Sequence, residues 1–241
     1  MTLTPGGTYD VSDGPIDMAD LEDVVARCLS GALPPGSPET TEALIDALTD
    51  PDDWEPEGFA VLDRLRLAAG APRTEHGVVR FERPTVIFGD LVVDGDLECL
   101  SHTVVLGDVR CSGYLYSGIH DCVIIAGDLE ARSLEALRSY WVIGGSITAE
   151  TIWLSTYGFL QQRGAVRTRL LMLEMYFELR NEEGVEAETR ISTDYLPDDP
   201  VALARLQEVV DTGALLGDDG TLESWQLLKR VARGEPVFRA R

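Results

Sequence analysis

From Arg83 to Leu196 the chain carries an irregular repeat of 18 to 20 residues, which restricts the fold more than any other feature. The units are anchored on Gly89, Gly107, Gly127, Gly145 and Gly164, at intervals of 18, 20, 18 and 19 residues, and Glu183 follows 19 further on. Two residues past each anchor stand Leu91, Val109, Leu129, Ile147, Val166 and Val185. Four past stand Val93, Cys111, Ala131, Ala149, Thr168 and Ala187. Val86, Val104, Ile124 and Val142 precede the first four anchors by three residues. A further apolar position, eight past, holds Leu97, Leu115, Trp153, Met172 and Ile191, with Leu134 displaced by one.

Alternation at two and four past the anchor is the period of a strand with one buried face. A glycine between short strands suits a corner, where a positive φ is cheap only for glycine. Asp90, Asp108 and Asp128 follow their glycines, and an aspartate there can accept from turn backbone. Stacking equivalent residues at the strand spacing of about 4.8 Å makes continuous apolar columns. One such coil cannot bury its apolar face, whereas five or six can. The expected fold is mainly β, a single-stranded β-solenoid (β-helix) of about six coils.

The flanks read as helical. Met18, Leu21, Val24, Val25 and Cys28 sit at helical spacing. Ser37-Pro38-Glu39 opens a second helix carrying Leu44, Ile45 and Leu48. A third is expected from Phe59 to Ala69, with Val61, Leu62, Leu65 and Leu67. Beyond the repeat, Val201, Leu203, Leu206, Val209 and Val210 form one amphipathic pattern, and Trp225, Leu227, Leu228 and Val231 another. Three parts result: a helical N-terminal region (1–82), the solenoid (83–196) and a helical C-terminal cap (197–241). Solenoid ends expose unpaired strand edges, so the flanking helices are expected to cap them.

The net charge of −22 bears on partners. Residues 1–82 hold 17 acids against 5 bases, residues 83–196 hold 17 against 9, and residues 197–241 hold 8 against 6. Acidity spread this widely repels nucleic-acid phosphates and anionic lipid, and it attracts a basic protein. The first residues show no basic and apolar secretory pattern, and no apolar run reaches the roughly 18 residues of a membrane span. Cys28, Cys99, Cys111 and Cys122 form no CxxC pair and read as reduced thiols. A cytoplasmic setting is expected.

One pattern tracks the repeat without belonging to its apolar columns. His102, His120, Tyr140, Tyr157 and Tyr176 follow the anchors at spacings of 18, 20, 17 and 19. Stacked on successive coils they would form a ladder, an aromatic binding stripe if it faces outward and a packed core if inward. His102 and His120 lack the spacing and further ligands of a structural zinc site, so no metal is expected. No Gly-x-Ser-x-Gly elbow, His-Glu-x-x-His or phosphate-binding loop occurs. The 19- and 20-residue intervals break the register of hexapeptide acyltransferases, leaving a solenoid enzyme as a distant alternative. No cofactor is expected.

Phe88-Gly89-Asp90-Leu91, Leu106-Gly107-Asp108-Val109 and Ala126-Gly127-Asp128-Leu129 resemble two bacterial groups. One is the bactofilins, polymer-forming β-helix proteins. The other is a set of cytoplasmic β-solenoid proteins of the polymorphic-toxin immunity type, with helical flanks and a closing Gly-x-Pro-Val-hydrophobic-Arg. Here that ending is Gly234-Glu235-Pro236-Val237-Phe238-Arg239. The second resemblance implies an immunity protein that neutralises a basic toxin by occlusion, as a monomer or small homo-oligomer. The first implies a self-assembling scaffold. Decay of the repeat after Gly164 and helical parts at both ends favour the second.

Overall fold

The computed structural model describes residues 18–33, 35, 37–48, 56–67, 70–119, 121–174, 176–194, 196–216 and 223–239. Three helices come first: α1 (Met18–Leu29), α2 (Pro38–Leu48) and α3 (Pro56–Leu67). Strands follow as β1 (Arg73–Phe81), β2 (Thr85–Ile87), β3 (Leu91–Cys99), β4 (Thr103–Val105), β5 (Val109–Ser117), β6 (Cys122–Ile125) and β7 (Leu129–Leu137). Next come β8 (Tyr140–Ile143), β9 (Ile147–Ser155), β10 (Gly158–Gln162), β11 (Val166–Glu174), β12 (Phe177–Arg180) and β13 (Val185–Thr193). Helices α4 (Pro200–Val209) and α5 (Ser224–Ala232) close the chain.

The long strands form a seven-stranded parallel sheet ordered β1-β3-β5-β7-β9-β11-β13, and the short strands a six-stranded parallel sheet ordered β2-β4-β6-β8-β10-β12. This is a β-solenoid of about six coils. The lumen is filled by columns running from coil to coil. Leu91, Val109, Leu129, Ile147 and Val166 make one, and Ile87, Val105, Ile125 and Ile143 face it from the short strands.

The corner glycines serve a different purpose from the expected one. Among the five anchors only Gly89 has a positive φ, at 117°. The others are required by close approach: a Cβ on Gly127 would lie 2.8 Å from the carbonyl oxygen of Gly107 and would strike the Asp108 carboxylate. The aspartates reach one coil onward. Oδ1 of Asp90 accepts from Asp108 N at 2.9 Å, that of Asp108 from Asp128 N at 2.9 Å, and that of Asp128 from Ser146 N at 2.7 Å.

The column eight past the anchor divides. Strand β5 has one more residue than β7 between Cys111 and Tyr114, which shifts the register. Leu97 and Leu115 therefore align with Leu134, Ile152 and Leu171, which face the lumen. Trp153, Met172 and Ile191 face outward, against Leu206, Leu227 and Leu228 of the C-terminal helices. Leu134, the apparent misfit, marks the true column.

Among the described residues the helices pack mainly along the solenoid's sides, and α4 also reaches the last strand, where Arg205 donates to Arg190 O at 3.1 Å. Helices α1–α3 pack on the outer face of the short-strand sheet, burying Val104, Ile124 and Val142 against Leu44, Leu48, Leu62 and Leu65. Helix α3 lies across several coils, since Asp63 pairs with Arg163 and Arg66 with Asp108. Helices α4 and α5 cover the second halves of the long strands, and Ser133 Oγ donates to Leu228 O at 2.8 Å. The outer faces of these strands are apolar, so burying them draws the helices to the sides. Leu67, expected on the apolar face of α3, is 85% exposed. The solenoid also begins ahead of the expected boundary at residue 83, because β1 pairs along its whole length with β3.

Candidate binding surface

The His/Tyr pattern resolves into two separate columns. Cys122 pairs with Tyr140, and Tyr140 with Phe159. His102 belongs to this column: it is buried, and its Nδ1 accepts from Cys122 N at 3.1 Å. Burial lowers the imidazole pKa. Tyr140 is half-buried, tilted against Phe159 at 5.3 Å between ring centroids, and packed on the N-terminal helices. These side chains are core. His120 lies outside the described residues.

Tyr157 and Tyr176 face solvent, 58% and 74% exposed. Their rings stack with centroids 5.4 Å apart and planes 12° from parallel. The sequence carries the signal for this separation. Tyr140 and Tyr157 are 17 residues apart, whereas Tyr140 pairs with Phe159, which is 19 away. The two tyrosines therefore sit on the corner that follows the long strands, outside the column of His102 and Tyr140.

Backbone geometry holds this corner. Arg138, Thr156 and Tyr176, on three successive coils, have φ of 49°, 67° and 50°. Left-handed backbone is costly for non-glycine residues and for a β-branched threonine above all. Surrounding ladder bonds maintain it, among them Arg138 N to Ser155 O at 3.2 Å. Two more exposed apolar residues occupy the same corner on earlier coils, Leu100 at 38% and Ile119 at 52% exposure. From Leu100 to Tyr176 the stripe spans four coil steps, about 19 Å at the strand spacing. Leu100 and Ile119 share a column with the two tyrosines, since Leu100, Ile119, Arg138, Tyr157 and Tyr176 follow one another at 19 residues, a spacing hidden by the uneven anchor intervals. Their signal is an apolar side chain at a turn position where polar residues are usual.

Asp121 adjoins the stripe, and burial pushes its carboxyl up to about 6. A groove of about 1050 Å³ follows the first halves of the long strands. Its walls carry paired charges, including Arg110–Glu130 at 3.8 Å and Arg167–Glu186 at 3.2 Å, so it presents little net charge to a ligand. Burial pushes the Cys99 and Cys122 thiols to about 12 and that of Cys111 to about 11, which keeps them protonated at neutral pH. Among the described residues no group of three His, Cys, Asp or Glu could hold a metal ion, and no helix is long and apolar enough to cross a membrane. Comparisons with protein-family models, curated proteins and solved structures found no match.

Proposed function

We propose that this protein is a binding module for a basic protein partner, engaged along the corner stripe of Leu100, Ile119, Tyr157 and Tyr176. The observation that carries this reading is the exposed Tyr157–Tyr176 stack. Tyrosines pre-stacked on a rigid corner lose little entropy on binding, and tyrosine is enriched at interface hot spots. The charge of −22 favours a basic partner and speeds its encounter. Together with the resemblance to immunity-type solenoids, this makes occlusion of a basic toxin domain in the cytoplasm the specific form of the proposal. Co-expression with basic toxin domains tests it: the wild type should restore growth against a cognate domain, and Y157A/Y176A should not. Absence of binding or rescue by any such domain at physiological salt would overturn it.

A second reading, a self-assembling scaffold, is favoured by one observation. The outer edge of β1 carries no neighbouring strand among the described residues, and most of β1 is exposed. Solution mass by light scattering separates the readings, because a scaffold grows with concentration and a binding module keeps a defined mass.

A further inference from the structure

We infer that the solenoid terminates itself, through charged and polar side chains set where its lumen columns would otherwise continue, and that these residues refuse a second copy of the chain at either end. At the N-terminal end Arg73 is in register with Leu91 and Glu75 with Val93, both lumen residues. The two charged side chains thus head apolar columns, and Arg73 Nε donates to Glu75 Oε1 at 2.7 Å. Side chains two apart lie on one face of a strand, so the pair closes over the end of the core.

The C-terminal end repeats the device with different residues. Leu97, Leu115, Leu134, Ile152 and Leu171 form a lumen column, and the next residue in register is Arg190. Its guanidinium reaches the Glu182 carboxylate with two bonds of 3.1 and 2.9 Å, which lowers the Glu182 pKa. The column of Ile87, Val105, Ile125 and Ile143 ends in Gln162, whose Nε2 donates to Asn181 O at 3.0 Å, while Asn181 Nδ2 donates to Gln162 O at 3.1 Å.

Stacking β1 of one copy on β13 of another would set Arg73 over Val185, Glu75 over Ala187 and Val79 over Arg190, by the registers of both ends. Three charges would be sealed in an apolar lumen. The desolvation of such charges opposes stacking, and inward-pointing charge on an edge strand is a known means of blocking edge-to-edge assembly. This inference concerns the chain alone and stands whether or not a partner binds the tyrosine corner.

The test is light scattering of the full chain over a range of concentration, with fold checked by circular dichroism. Wild type is expected to keep one mass. At the β1–β13 junction R73L/E75V still buries Arg190, and R190L/E182A still buries Arg73 and Glu75, so each should keep the wild-type mass, whereas the combined variant should grow without limit while keeping its β spectrum. Arg73→Glu with Glu75→Arg retains both charges and should keep the wild-type mass. Growth of wild type or of this swapped variant overturns the inference, as does a folded combined variant of wild-type mass. If the combined variant does not fold, R73L/E75V with Arg190→Leu, which leaves Glu182 in place, decides: growth with concentration supports the inference and a folded species of wild-type mass overturns it.

Discussion

Glu174 joins Trp153 across adjacent coils: the buried carboxylate accepts from the indole Nε1 at 3.0 Å. The same oxygen accepts from Ser155 Oγ at 3.1 Å, and the other oxygen accepts from Leu196 N at 3.1 Å. One side chain thus ties two coils to the segment leading into α4. Glu174→Ala leaves three buried donors unpaired and should cost about 3 kcal/mol. Urea denaturation should show the loss, with earlier proteolysis after Thr193.

The two tyrosine columns should respond differently to truncation. Tyr157 and Tyr176 are solvent-exposed, so Y157A/Y176A should lower stability by less than about 1 kcal/mol. Tyr140→Ala opens a gap against Phe159 and the N-terminal helices and should cost about 2–3 kcal/mol. Thermal melts distinguish the cases, and only the double variant should lose a bound partner without losing fold.

Asp121 makes stability depend on pH. Its folded pKa, about 6, lies above the value of 3.8 for a free carboxyl. The native state therefore favours the protonated group, and the stability this contributes is fully present below pH 3.8 and lost as pH rises through 6. Asp121→Asn should gain about 1–2 kcal/mol at pH 7.5, allowing for partial exposure, and almost nothing at pH 3.5. Equal gains at both pH values would contradict this assignment.

Gln162 is 2% exposed and faces the lumen. Among the described residues its Oε1 has no hydrogen-bond partner. Replacing it with methionine removes the unpaired acceptor and extends the apolar column of Ile143, at the loss of one bond to Asn181 O. The unpaired group costs more than one exchanged bond, so Gln162→Met should raise stability by about 1 kcal/mol. The midpoint of urea unfolding measures the gain.

The helical flanks were legible as helices but their positions were not. Amphipathic spacing places Leu44 and Leu48 on one helical face without naming what that face meets. The answer lies in Val104 and Ile124, apolar positions of the repeat whose side the sequence leaves open and which face the helices. Strands buried on both faces lose the alternation that distinguishes inside from outside.

The repeat of glycine, aspartate and alternating aliphatics determined the coil by itself, because those signals act between residues close in sequence or one coil apart. Glycine is needed where backbones approach, and aspartate where a neighbouring N–H awaits an acceptor. Only the tertiary structure decided which side of each strand looks outward. A single extra residue in β5 moves Leu134 into the lumen column and sends Trp153 and Met172 to the outer face. The corner after β9 likewise sets Tyr157 outside and leaves Phe159 beside Tyr140. Side chains alternate with a period of two, so a shift of one residue inverts the assignment, and parallel pairing across coils is what sets that register.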